Sequence, residues 1–132
     1  MEQNFQTLGL SDALVAGLAK QDITVPTDIQ TKMIPAIMTG KDVVGRSETG
    51  SGKTLAYLLP IFQRIDPNVR GTQAIILTPT HELAAQVHRQ AELLAKNAGV
   101  NVGCALIIGT ARLQRQVERL REKPPIVVGS TG

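Results

Sequence analysis

The stretch Ser47-Glu48-Thr49-Gly50-Ser51-Gly52-Lys53-Thr54 constrains this chain more than any other. It follows a short apolar segment, Asp42 to Arg46, that reads as a strand. It precedes LAYLLPIFQRI, whose apolar density reads as a buried helix. A strand, a glycine turn and a helix in that order make a cradle for an anion. Gly50 and Gly52 allow left-handed or crowded backbone, so that successive N–H groups converge at a helix N-terminus whose dipole favours negative charge. In this reading Lys53 reaches the β and γ phosphates of a nucleotide and the Thr54 hydroxyl ligates Mg²⁺. The turn departs from the G-x-x-x-x-G-K-[ST] pattern at its first position, where Ser47 stands. By itself it implies a nucleoside triphosphate and does not say which one.

The chain around the turn alternates helices and strands. A helix begins at Ser11, with Leu14, Val15 and Leu18 at helical spacing, and runs to about Gln21. After Val25-Pro26, Thr27 and Gln30 form a capping box: the Thr27 hydroxyl accepts from the N–H at position 30 and the Gln30 amide reaches back. The helix that follows ends at Gly40 and carries Pro35; the helix after the phosphate turn carries Pro60, each proline costing a ladder bond. Ala74 to Thr78 (AIILT) is an uninterrupted apolar run of the kind found in parallel sheets. A helix from His81 to Asn97 follows, with Leu83, Val87, Ala91 and Leu94 expected on its buried stripe. Val102 to Ile108 is a third strand. Leu113, Val117 and Leu120 mark the expected buried face of another helix, opposite a solvated stripe of Arg112, Arg115 and Arg119. IVVGS, from Ile126 to Ser130, is a fourth strand.

This alternation predicts an α/β fold, a parallel sheet with helices on both faces, with ligand-binding loops after Arg46, Thr78, Ile108 and Ser130. A sequence of 132 residues with 42% hydrophobic content suffices for one core. The last strand has no covering helix after it, so the chain reads as a piece of a larger domain. A net charge of +3 suits a polyanion, although weakly. Phe5, Tyr57 and Phe62 are the whole aromatic content, too little for a base-stacking platform, so nucleic-acid contacts should go to the sugar-phosphate backbone. Cys104 stands alone, which excludes a disulfide framework and fits a reducing cytoplasm. The spacing of His81 and His88 matches no zinc pattern. No apolar run reaches the roughly 18 residues of a membrane span, and no membrane partner is expected.

Taken in order, these motifs resemble the first RecA-like domain of a DEAD-box ATP-dependent RNA helicase. Phe5 with LGL and then ITVPTDIQ resembles the family's Q motif; SETGSGKT resembles motif I, A-x-T-G-S-G-K-T; PTHELAAQ, Pro79 to Gln86, resembles motif Ia, PTRELAxQ. Gly109 and Ser130-Thr131-Gly132 fall where the family has its GG and TPGR elements. The resemblance implies an incomplete P-loop RecA-like fold: residues 1–40 as a Q-motif helical region and 41–132 as an ATP-binding core that stops before the DEAD motif. The second RecA-like domain would be absent.

The resemblance also implies the site. Gln30 would read adenine through its amide, a role its capping box leaves open, with Ile23 and Pro26 beside the base. Thr49, Gly50, Ser51, Gly52, Lys53 and Thr54 would hold the phosphates of ATP or ADP, Lys53 and Thr54 being the catalytic pair and Thr54 the Mg²⁺ ligand. Pro79, Thr80, His81, Gly109, Thr110, Ser130 and Thr131 would lie along an RNA backbone, where contacts are sequence-blind. Four positions depart from the pattern. Glu48 adds a negative charge beside the triphosphate, His81 replaces an arginine, Thr110 replaces the second glycine of GG, and Thr131 replaces a proline. No apolar strand ends in Asp-Glu, so the implied function is an ATP-binding half-site of a helicase, with little or no hydrolysis by this chain alone. The alternatives are a non-catalytic interaction module with a vestigial turn, or another P-loop NTPase; no N-K-x-D supports a guanine-reading switch.

Overall fold

In the computed structural model, residues 3–48, 50, 52–109 and 113–131 are described. The elements in chain order are α1 (Asp12–Ala19), α2 (Asp28–Met38), α3 (Lys53–Arg64), β1 (Ala74–Thr78), α4 (His81–Ala98), β2 (Cys104–Ile107), α5 (Leu113–Arg121) and β3 (Ile126–Ser130). Contacts divide the chain into two compact units, Met1–Arg64 with Asn97–Val100, and Ile65–Lys96 with Asn101–Gly132.

The first unit is helical. Ser11 caps α1, its side chain accepting from the Leu14 N–H at 3.3 Å, while its own N–H donates to Gln63 Oε1 of α3 at 2.7 Å. Thr27 caps α2 through the complete capping box predicted from TDIQ. The core gathers Phe5, Leu14 and Leu18 with Ile34 of α2 and Leu58, Leu59 and Phe62 of α3, all buried. Each such side chain contributes roughly 1.5–3 kcal/mol of transfer free energy. Pro60 is buried inside α3 and Pro35 sits inside α2, so both helices run on through a missing ladder bond.

The strand expected over Asp42–Arg46 does not form. Residues 41–48 carry no strand, and Val44 is 90% exposed. Two valines between Lys41-Asp42 and Gly45-Arg46 offer little apolar surface. Every strand among the described residues lies in the other unit, so the segment has no ladder partner within its own.

The second unit is built on a three-stranded parallel sheet of order β1-β3-β2. The register sets Val128 between Ile76 of β1 and Leu106 of β2, and Ile126 between Ala74 and Cys104. That set, with Thr78, makes the buried face: Ile126 and Val128 are fully buried and Cys104 nearly so. Ile75 and Leu77 point to the other face and are 70% and 68% exposed. The apolar run of β1 is therefore covered on one side, not on both.

α4 buries three of its four expected residues, whereas α5 presents a different face. In α4 the buried stripe is Ala84, Val87, Ala91 and Leu94, and Leu83 is exposed. In α5 the buried residue is Gln116, whereas Leu113, Val117 and Leu120 are all exposed, Leu113 to 75%. The Gln116 amide bonds to the backbone of Ile108, one residue past the end of β2.

Cys104 sits on the buried face of β2, and its thiol is pushed up to about 12, by burial first and by Glu92 second, with Arg119 opposing. The thiolate is the reactive form, so alkylation at pH 8 should be on the order of a thousandfold slower in the folded chain than in denaturant. Equal rates measured by mass spectrometry would show that β2 is not covered.

Candidate nucleotide and nucleic-acid sites

In the first unit the phosphate turn is held by the helix that precedes it. Gln30 is 2% exposed. Its Oε1 accepts from the Thr27 N–H at 3.0 Å, the Thr27 hydroxyl accepts from the Gln30 N–H at 3.4 Å, and Gln30 Nε2 donates to the Gly52 carbonyl at 3.2 Å. The same Gly52 carbonyl accepts the Ala56 N–H at 3.1 Å, the first helical bond of α3. Gln30 thus serves in the capping box and clamps the start of α3 at once. An amide nitrogen carries two donors and its oxygen two lone pairs, so each retains capacity for one further partner.

Gly50 and Gly52 have φ of +84° and +86°. A Cβ at Gly52 would fall 2.5 Å from Gln30 Nε2 and 3.2 Å from Thr27 Oγ1, so that position is closed by conformation and by contact. At Gly50 a Cβ would meet nothing within 4 Å. Lys53, the first residue of α3, is exposed and its Nζ donates to the Ser47 carbonyl at 2.7 Å, folding the amine over the turn. The Thr54 hydroxyl shares a hydrogen bond with Tyr57 one turn on; burial raises the Tyr57 phenol and that bond partly offsets it. Ile23 and Pro26 are half-buried beside the α2 N-terminus in sequence, and the Ile23 N–H donates to Leu18 O at 3.0 Å. Thr49 and Ser51 lie outside the described residues. No cluster of three or more His, Cys, Asp or Glu side chains occurs among the described residues.

In the second unit the carboxyl ends of the strands are joined by polar side chains. Thr78 Oγ1 lies 2.8 Å from the Thr80 carbonyl and 3.4 Å from that of Gly129, and its single proton goes to the nearer. Thr80 caps α4, its hydroxyl accepting from the Leu83 N–H at 3.1 Å. His81 Nδ1 and the Ser130 hydroxyl share a hydrogen bond between the start of α4 and the end of β3. These bonds gather Pro79, Thr80, His81 and Ser130 at one end of the sheet. Because Ile107 pairs with Gly129, Gly109 and Thr131 leave adjacent strands at the same level. Thr110 lies outside the described residues.

A glutamine-capped helix clamped onto a glycine phosphate turn, and a row of loop residues at the carboxyl ends of a parallel sheet, invite comparison with known proteins. The DEAD/DEAH box helicase family model matches residues 27–132. The chain belongs to that family. It is 45% identical over 106 residues to the DEAD-box ATP-dependent RNA helicase CshC of Bacillus cereus, covering 80% of this chain and 27% of that protein. To the ATP-dependent RNA helicase CshA of Limosilactobacillus reuteri it is 40% identical over 128 residues, 97% of this chain and 25% of the relative. The chain therefore spans about a quarter of the length of these curated relatives. Among solved structures, a DEAD box protein from the hyperthermophile Methanococcus jannaschii aligns with a TM-score of 0.88 at 38% identity, covering 96% of this chain and 34% of that one. A DEAD-box helicase bound to ssRNA and UDP-BeF aligns with a TM-score of 0.91 at 25% identity, covering all of this chain and 29% of the other.

Two residues of this DEAD-box chain escaped the reading of its sequence. Tyr57 was visible only as an apolar position of α3, and Gln116 only as a polar residue between arginines. A glutamine one position from an apolar stripe gives no sign that it faces inward.

The two glycines of the turn separate conformational from contact costs. Gly50→Ala should destabilise by about 1–2 kcal/mol, the cost of left-handed backbone for a residue with a Cβ. Gly52→Ala should cost more, because it also displaces the Gln30 amide. Equal losses in urea unfolding would show that the Gln30 clamp is absent in solution.

Proposed function

We propose that this chain forms the nucleotide-binding part of an ATP-dependent RNA helicase, taking ATP or ADP with Mg²⁺ in its first unit and an RNA backbone on its second. The observation that carries this reading is the Gln30–Gly52 bond. It joins the residue suited to reading a base to the turn suited to holding phosphates. The turn fits a triphosphate: Gly52 admits no Cβ, Gly50 opens on free space, and Lys53 stands at the helix start where an anion is favoured. Lys53 would exchange the Ser47 carbonyl for phosphate oxygens, and Thr54 would turn its hydroxyl from Tyr57 to the metal. Bound Mg²⁺ neutralises charge on the phosphates. The spare N–H and lone pair of Gln30 would pair with N7 and the exocyclic amine of adenine, a pattern guanine does not reciprocate.

RNA would run past Pro79, Thr80, His81, Gly109, Ser130 and Thr131, contacted through sugar and phosphate without regard to sequence. The family relationship supports this reading, as does the naming of RNA for both relatives and for a structural neighbour. Hydrolysis coupled to strand separation would need an acidic residue to orient water and a second RecA-like domain to close over the site. The eleven acids of this sequence include no Asp-Glu pair, so the chain alone would bind nucleotide and turn over little. We place the protein in the cytoplasm; no helix of the described residues is long and apolar enough to cross a membrane.

Calorimetric titration with ATP, ADP and GTP in Mg²⁺ tests the reading. Adenine nucleotides should bind in preference to GTP, Lys53→Ala should lose about tenfold or more in affinity, and Gln30→Ala should lose the base preference. Equal binding of ATP and GTP would leave the phosphate turn and remove the adenine reading. No binding by a chain that melts cooperatively would remove both.

A further inference from the structure

We infer that Gln116 is a positioning residue for the RNA contact at Gly109; the inference rests on the RNA reading above. Among the described residues β2 is an edge strand with β3 as its one neighbour, and it ends at Ile107. The next residue, Ile108, would leave an N–H and a carbonyl half-buried without a ladder partner. Gln116 takes both. Its Oε1 accepts from the Ile108 N–H at 2.9 Å and its Nε2 donates to the Ile108 carbonyl at 2.7 Å, so the carboxamide replaces a missing strand for one residue. The side chain is nearly buried, which removes water as a competing partner.

The other flank of the same strand end is fixed as well. Gly129 of β3 pairs with Ile107, and a Cβ there would fall 2.9 Å from the Ile107 carbonyl oxygen, so β3 approaches the backbone as closely as a glycine allows. The β2 end is thus held between Gly129 on one side and Gln116 on the other, one residue before Gly109. A backbone N–H offered to a phosphate, or a carbonyl offered to a ribose 2′-hydroxyl, needs a fixed direction, and Gln116 supplies it from α5 without touching RNA itself.

The test compares the chain with Gln116→Met, an unbranched side chain of similar length that makes neither bond, and with Gln116→Glu, which keeps only the acceptor for the Ile108 N–H. Three readouts are taken: Ile108 amide exchange by NMR, anisotropy of a fluorescein-labelled single-stranded oligouridylate, and ATP affinity. Gln116→Met should abolish protection of the Ile108 amide and weaken RNA binding about fivefold or more, because ordering the Ile108–Gly109 backbone becomes part of the binding step. ATP affinity should not change. Gln116→Glu should keep much of the protection and recover part of the RNA affinity, and it carries the comparison if the methionine variant does not fold. Loss of protection with unchanged RNA affinity would make Gln116 merely structural and overturn the inference. Undiminished protection in Gln116→Met would overturn the clamp and with it the positioning role. A failure of the unsubstituted chain to bind RNA, with its Ile108 amide protected, would overturn the RNA reading and this role together while leaving the clamp standing.

Discussion

The bond from Gln30 to the Gly52 carbonyl is the interaction on which the first unit turns. A glycine-rich turn has no side chains to pack and loses more conformational entropy on ordering than any other kind of segment. It needs an anchor of fixed geometry nearby. The amide of Gln30 is fixed by the capping box of its own helix before it reaches Gly52, so the ordering of α2 is transmitted to the start of α3. Gly52 then serves twice, its carbonyl accepting from Gln30 and from Ala56.

The second unit applies the same physics to strand ends. A carboxamide is donor and acceptor together, so it can satisfy a peptide unit that has run past its ladder. Gln116 does this for Ile108, and Gln73 does it for Asp66, accepting its N–H and donating to its carbonyl, both at 2.9 Å. The first lies at the carboxyl end of the sheet, just before Gly109, and the second just before β1 at the amino end. Neither contributes apolar burial. Gln116 thereby sets the direction in which the chain leaves β2, while Gln73 holds Asp66 in the loop between α3 and β1.

Much of this was legible from the residues. AIILT and IVVGS read as strands because each is an apolar run long enough to be a strand and bounded by turn residues. TDIQ read as a cap because the pairing is local, three residues apart. DVVGR misled because a strand is a relation between two segments, and nothing in the segment reveals whether a partner lies beside it. The stripe of α4 was legible at Val87, Ala91 and Leu94 and missed only at Leu83, beside the buried Ala84, whereas the face of α5 misled, Gln116 being buried in place of Leu113, Val117 and Leu120. One position is 100° of helix, and sequence periodicity fixes the width of a stripe better than its rotation about the axis. In α5 the buried residue is a glutamine whose amide bonds to a peptide unit eight residues earlier, a pairing that apolar periodicity does not report. The dual role of Gln30 was half visible: the cap is local, while the reach to Gly52 spans 22 residues.

The departure at His81 acquires a physical meaning in this setting. An arginine at the start of α4 would present a permanent cation to a phosphate. The imidazole instead spends Nδ1 on Ser130 and ties the first turn of α4 to the end of β3. Thr78 spends its proton on the Thr80 carbonyl, and Thr80 accepts from Leu83 yet keeps its own proton to give. The polar groups at this end of the sheet therefore trade charge for order: they hold Pro79, Thr80 and Ser130 in one arrangement and offer neutral donors. Counterion release is driven by cations that neutralise phosphates. A surface of hydroxyls and backbone groups gains little from it, so on the proposed reading any hold on RNA would rest on the geometry that Gln116, Gly129 and His81 impose.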